Sequence, residues 1–265
     1  MKINLSGYNA FVGGSSKGIG KAAAQLLSAC GANITLVGRN EVSLMDEVIH
    51  LNLTSLPFQQ HDYVAVDYAH PDRVRSTVQK LMKKNGKTYH ILINNSGGPA
   101  AGPAHQATED EFLLAFRQHL LSQQVLVSLM LEGMKKHQYG RIINVISTSV
   151  KQPIPNLGVS NTIRGAVANW SKTLAGELAP WGITVNNVLP GATETDRLRE
   201  IIGNKSQKLK ATEEEIKQEM LREIPAGRFA QPDEIAQAIV FLSSPLAAYI
   251  NGINLPVDGG RTASL

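Results

Sequence analysis

The residues best suited to do chemistry lie near the amino end, in Phe11-Val-Gly-Gly-Ser-Ser-Lys-Gly-Ile-Gly20. The apolar run Ala10 to Val12 stops at glycines, and an alanine-rich helical pattern, Lys21 to Cys30, begins directly after. Strand, glycine turn and helix in that order suit phosphate binding. Backbone N–H groups around Ser16, Lys17 and Ile19 would point outward at the positive end of the helix dipole, where an anionic oxygen can sit. Gly14, Gly18 and Gly20 lack the Cβ atoms that would block tight turning, close phosphate approach and helix–strand packing. Metal chemistry has no support, because the chain holds neither H-E-x-x-H nor a cysteine pair.

The elements that must position this turn follow from the alternation of short apolar runs with helical patterns. The strands expected are Ile34 to Val37, Tyr63 to Val66, Tyr89 to Ile93, Gly140 to Ile146, Ile183 to Val188 and Ile253 to Val257. Between them come helices to about His50, from Pro71 to Lys84, from Thr108 to His137, from Leu157 to Ala179, and from Pro232 to Ser243. Continuous apolar strands alternating with helices predict a Rossmann-like α/β fold: one doubly wound parallel seven-stranded sheet, covered on both faces. The stretch Ala192 to Glu223 is rich in lysine and glutamate and interrupts this rhythm, which suggests a lid over a site or a solvated helical excursion. With neither linker nor repeat visible, residues 1–265 read as a single domain.

Hydrophobic content of 43% and charged content of 18% describe a globular chain. A lone cysteine, Cys30, cannot form an internal disulfide and suits a small core position. The net charge of +4 comes from dispersed lysines and arginines without a nucleic-acid motif, so no nucleic-acid partner is expected. The start, Met-Lys-Ile-Asn-Leu-Ser-Gly, has no signal-peptide apolar region, and no run approaches the ~18 residues that span a bilayer. The expectation is a cytoplasmic protein without a membrane partner.

With these pieces in order, the chain resembles the short-chain dehydrogenase/reductase family, especially members akin to 3-oxoacyl-acyl-carrier-protein reductases. The resemblance spans nearly the whole length. It rests on Gly14 to Gly20, Asp67, Asn94-Asn-Ser-Gly97, Ser147, Asn186-Asn-Val-Leu-Pro-Gly191, Thr195, Pro232-Asp-Glu-Ile-Ala236 and the ending Gly252 to Gly260. It implies that Asp67 meets an adenine, that Asn94, Ser96 and Gly97 line a cofactor cleft with Pro190 and Gly191, and that Thr195 contacts a nicotinamide amide. Gly38 stands where an NAD-preferring relative would carry an acid. Arg39 follows it, and with Lys17 can converge on a 2′-phosphate, so the implied cofactor is NADP(H) rather than NAD(H). Two long helices, Thr108 to His137 and Leu157 to Ala179, correspond to those that pair between subunits in related tetramers, which implies a homo-oligomer, tetramer or dimer.

The proton-transfer residues depart from the family pattern of Tyr-x-x-x-Lys. Counting from Ser147 places Ser160 and Arg164 there, in Ser160-Asn-Thr-Ile-Arg164, while the family's helix asparagine becomes His119. Hydride transfer to a carbonyl builds negative charge on oxygen, which must be stabilised and then protonated. Serine is a far weaker acid than tyrosine, and Arg164 stays protonated; at i+4 from Ser160 it suits ribose binding and oxyanion stabilisation. Histidine titrates near neutrality, so His119 and His105 are the candidate proton donors; the tyrosines fall at strand ends and distant turns. Two readings follow: an NADP(H)-dependent oxidoreductase acting on a small carbonyl or alcohol substrate, or an NADP(H)-binding regulatory or scaffold protein with little turnover.

Overall fold

Strand β1 (Asn9–Gly13) is an inner strand of a seven-stranded sheet, and every neighbouring pair of strands runs parallel. The others are β2 (Asn33–Gly38), β3 (Asp62–Ala65), β4 (Ile91–Asn94), β5 (Gly140–Val145), β6 (Ile183–Pro190) and β7 (Asn254–Val257). Their order is β3-β2-β1-β4-β5-β6-β7, so the chain reverses direction across the sheet between β1 and β4. A crevice opens beyond the carboxyl ends of strands at such a reversal. The computed structural model describes residues 3–264; Met1 and Lys2, which open the amino-terminal run read above, and Leu265 lie outside them.

Each strand divides its apolar side chains between two faces, as a period of two requires. In β1, Ala10 and Val12 join one core while Phe11 joins the other; in β4, Ile91 and Ile93 face one way and Leu92 the other. The first core is closed by α1 (Gly18–Ala29), α2 (Glu41–Thr54) and α9 (Pro232–Ser243), through Leu27, Leu44 and Ile239. The second is closed by α3 (Pro71–Asn85), α5 (Ser122–His137) and α6 (Gly158–Leu178), through Val78, Met130 and Leu178. The doubly wound sheet therefore stands as the sequence pattern indicated.

Two elements differ from expectation. The helix expected from Thr108 to His137 is three pieces: α4 (Glu109–Phe116), a π-helical turn (Arg117–Leu121) and α5. Thr108 caps α4 as expected, accepting from the Glu111 N–H while the Glu111 carboxylate accepts from the Thr108 N–H. The charged stretch after β6 forms α7 (Asp196–Leu209) and α8 (Glu213–Arg222), which enclose a small core of their own from Leu198, Ile202, Ile216, Ile224 and Phe229.

Across the β4–β7 half, one residue of each strand lies in register: Asn94 beside Asn144, Asn144 beside Asn187, and Asn187 beside Asn254. Their side chains form a chain of amide hydrogen bonds of 2.8, 3.0 and 2.8 Å. Asn144 also donates to Ser171 Oγ of α6 at 2.8 Å. This ladder ties together the strand ends that carry the crevice.

At the opposite end of the sheet, His61 Nδ1 accepts from the Ile34 N–H and His90 Nδ1 from the Asn9 N–H, both at 3.1 Å. Burial, then the neighbouring Lys87 or His137, lowers each histidine to about 4. The unfolded chain binds protons on these rings at an ordinary histidine pKa, and the folded chain does not. Stability present above pH ~6.5 is therefore expected to fall as the pH drops toward ~4. Denaturant midpoints measured across that range check it, and His90→Gln is expected to flatten the decline.

Candidate functional site

The glycine turn joins β1 to α1 at the topological reversal. Gly14 and Gly18 take left-handed backbone angles, φ +57° and +58°, and a Cβ on Gly14 would lie 2.7 Å from Asn95 Nδ2. Asn95 in turn donates to the carbonyls of Gly13 and Gly14, at 3.1 and 3.4 Å, and so holds the turn in shape. No side chain caps α1 at Lys17 and no acid occupies its first turn, so its N–H groups remain available to an anion.

This turn forms one wall of a cleft of about 420 Å³ that also holds Arg39, Asp67, Ser96, Gly97, Ser147, Ser160, Arg164, Pro190, Gly191 and Thr195. Ser16, Lys17, Gly18 and Ile19 line it as well. Gly20, Asn94 and His119 were expected here and do not belong to the cleft wall. Gly20 packs beneath the turn, where a Cβ would strike the Gly14 carbonyl. Asn94 is wholly buried in the amide ladder, and the next residue, Asn95, reaches the cleft instead.

His119 lies on the π turn, buried behind Ser96, whose hydroxyl sits 3.0 Å from Nδ1. Its Nε2 is buried without a partner. Burial first, then the Arg164 charge, lowers this histidine to about 3, so the ring is neutral at ordinary pH and is a poor proton donor. His105 sits exposed on a 3₁₀ turn, Ala104–Gln106, away from the cleft wall. The turn from Gly14 to Gly18 also satisfies the G-x-S-x-G spacing of a hydrolase elbow, but no histidine lines the cleft to activate Ser16.

The opposite wall is built where β5 meets α6. Ser147 caps the 3₁₀ turn Thr148–Val150, its Oγ accepting from the Ser149 N–H at 3.1 Å. Ser160 and Arg164 lie one turn apart on α6, each 8% exposed. Arg164 Nη1 donates to the Val145 carbonyl at 3.1 Å, which anchors the guanidinium at the end of β5. Burial first, then the Arg197 charge, lowers Arg164 to about 10, so it remains a cation at neutral pH. The arrangement offers hydroxyls and a fixed positive charge to a developing oxyanion, and no side chain there titrates near neutrality.

Tyr68, Gln118 and Arg197 are among the cleft residues that escaped the sequence reading. Tyr68, counted among the distant tyrosines, lines the cleft with its hydroxyl buried and unpartnered, and burial pushes its pKa up. Gln118 belongs to the π turn and donates to the Gly97 carbonyl at 3.3 Å. Arg197 reaches from α7 and donates to the Pro99 carbonyl at 3.0 Å. Lys17 likewise pairs with Asp196 of α7 at 3.3 Å, an exposed contact between the glycine turn and the α7–α8 unit.

No helix among the described residues is long and apolar enough to cross a membrane, and no cluster of metal-ligating side chains occurs among them. Comparison with known proteins places the geometry in a family. The family model described as enoyl-(acyl carrier protein) reductase matches residues 14–262. The chain is 34% identical over 260 residues to the 3-oxoacyl-[acyl-carrier-protein] reductase FabG of Vibrio cholerae, covering 97% of this chain and 98% of that protein. Among solved structures, YwfH, an NADPH-dependent reductase involved in bacilysin biosynthesis, superposes with a TM-score of 0.92 at 28% identity over 98% of this chain and all (100%) of the other. The L-sorbose reductase of Gluconobacter frateurii, solved with NADPH and L-sorbose, gives a TM-score of 0.93 at 30% identity over 100% of both chains. The chain is an enzyme of the short-chain dehydrogenase/reductase family.

Proposed function

We propose that the protein is an NADP(H)-dependent oxidoreductase that reduces a small carbonyl compound, or oxidises the matching alcohol, with an oxyanion site in place of a positioned side-chain acid. One observation carries this reading: the glycine turn, Arg39 and the Ser147/Ser160/Arg164 group all open on one cleft. The residues fit the cofactor. Gly14, where a side chain would fill the cradle, and the uncapped start of α1 suit the pyrophosphate, while Arg39 and Lys17 suit the 2′-phosphate. Relatives named for NADPH support the same preference.

When bound, the reduced cofactor would supply the hydride for the carbonyl carbon. The carbonyl π pair moves to oxygen, where Arg164 and the hydroxyls of Ser147 and Ser160 hold the charge until water in the open cleft protonates it. Helices α7 and α8, joined to the glycine turn by Lys17–Asp196 and to the loop after β4 by Arg197–Pro99, serve as a lid.

A second reading has its own support. The absence of a histidine from the cleft wall among the described residues, with His119 buried and neutral behind it, suits an NADP(H)-binding regulatory protein with little turnover. Titration calorimetry with NADPH and NADH tests what the two share. Arg39→Ala is expected to weaken NADPH binding about 10- to 50-fold and to leave NADH binding nearly unchanged. Equal affinity for both nucleotides before mutation overturns the NADP preference, and binding of neither overturns both readings. Oxidation of NADPH that depends on an added carbonyl compound then separates enzyme from regulator.

A further inference from the structure

Arg164 is a buried cation without a counter-ion. It is 8% exposed, it makes one hydrogen bond, from Nη1 to the Val145 carbonyl, and among the described residues no carboxylate pairs with it. Among the described residues its Nε and Nη2 have no hydrogen-bond partner, and the side chain lines the cleft. Burying a charge in this way is costly unless something pairs with it.

A second guanidinium approaches the same stretch of chain. Arg164 Nη2 lies beneath Gly98, 3.5 Å from where a Cβ there would stand, and Arg197 Nη2 donates to the carbonyl of Pro99, the next residue. The two like charges repel, and after burial the Arg197 charge is what lowers Arg164. The acids that line the cleft are engaged elsewhere: Asp196 pairs with Lys17 and Arg199, and Asp67 accepts from the Ala69 N–H. One cation suffices for an oxyanion that exists only during reaction. The second, half-exposed and paired through Nη1 with Glu200 at 3.3 Å, turns its Nη2 inward onto the Pro99 carbonyl beside the unpaired Arg164, and two guanidinium groups so placed suit a full negative charge that is present in the bound substrate.

Resting on the oxidoreductase reading, we propose that the substrate is a short oxo acid (or the matching hydroxy acid), whose carboxylate sits between Arg164 and Arg197 beneath Gly98–Pro99 and whose carbonyl faces Ser147 and Ser160. The Nε–Nη2 edge of Arg164 matches a carboxylate in two parallel hydrogen bonds, which fixes the orientation of the neighbouring carbonyl, while Arg197, whose Nη1 and Nη2 hold Glu200 and the Pro99 carbonyl, adds positive charge. A lysine could supply charge there but not that fork.

The test uses short 2-oxo and 3-oxo acids, each paired with its methyl ester, on the intact protein with NADPH. Esters are the more electrophilic ketones, so a preference for the acid reports recognition rather than reactivity. The expected result is kcat/KM at least about tenfold higher for the acids, with Arg197→Ala collapsing the acid-to-ester ratio mainly through KM, and Arg197→Lys restoring part of it. A second readout needs no turnover: by calorimetry on the NADP⁺ complex, 3-hydroxybutyrate is expected to bind at least about tenfold more tightly than its methyl ester, and Arg197→Ala to erase the difference. NADPH affinity is measured in every variant. Intact NADPH binding with no preference for acid over ester in either assay, whether both are accepted or neither, overturns this inference and leaves the oxidoreductase reading in place. Failure of NADPH to bind removes that reading, and this one with it.

Discussion

Arg164→Met is expected to lower kcat by about 10²–10³ while the protein stays folded and still binds NADPH. The magnitude follows from position. Arg164 is the one fixed cation on the α6 wall of the cleft, one turn from Ser160, and hydride transfer puts a negative charge on the oxygen nearest it. Methionine keeps the apolar stem and removes the charge. The Val145 carbonyl loses its donor, at a cost of about 1 kcal/mol, and release from burying an unpaired guanidinium offsets part of that cost. Since Arg164 also suits the cofactor ribose, NADPH affinity is expected to fall by roughly tenfold or less, a change that saturating cofactor overcomes. Arg164→Lys keeps the charge and is expected to recover all but about tenfold of kcat. Single-turnover rates at saturating NADPH separate the chemical step from binding. A methionine variant with the wild-type rate would remove Arg164 from the reaction and move the search to Ser147 and Ser160.

Much of this site was legible in the sequence because local signals specify it. The glycine turn interrupts an apolar strand just before a helix, and that order, with the motifs downstream of it, places the turn on the wall of the cleft. Arg39 follows the end of β2, where side chains meet the crevice whatever the rest of the fold does. Ser160 and Arg164 lie one helical turn apart, so their shared face follows from helix geometry. The errors arose where a single residue or a distant contact decides the outcome. Asn94 and Asn95 differ only in which way the end of β4 turns them, and alternation sends the first into the ladder and the second into the cleft. Nothing in the apolar pattern from Thr108 to His137 marks the π turn that buries His119 and brings Gln118 to Gly97. Arg197 reaches Pro99 across 98 residues, and only the packing of α7 against the loop after β4 brings them together. Charge-rich composition shows that such a helix is solvated, not which of its cations turns inward.

Asn144→Leu is expected to destabilise the fold by about 3–5 kcal/mol, which for a chain of this size lowers the melting temperature by roughly 10–15 °C. Asn144 is wholly buried at the centre of the amide ladder, and its side chain serves three partners: it accepts from Asn94 at 2.8 Å and donates to Ser171 and Asn187 at 2.8 and 3.0 Å. Leucine has the same branched shape but is larger, so no cavity forms and overpacking adds to the polar loss. Asn94 Nδ2 and Asn187 Oδ1 are left buried without those partners, beside Asn94 Oδ1, which already has none. Ser171 still donates to the Val167 carbonyl at 2.6 Å and loses less. The ladder crosses parallel strands one residue before Asn95 on β4 and three before Ser147 on β5, so it also fixes the separation between the glycine-turn side of the cleft and the Ser147 side. NADPH affinity in the folded variant is therefore expected to fall several-fold, although Asn144 belongs to neither wall. Asn254→Ala, at the partly exposed outer end of the same ladder, provides the contrast and is expected to cost about 1 kcal/mol or less. Equal destabilisation by the two substitutions would mean that the amides act singly and not as a connected row.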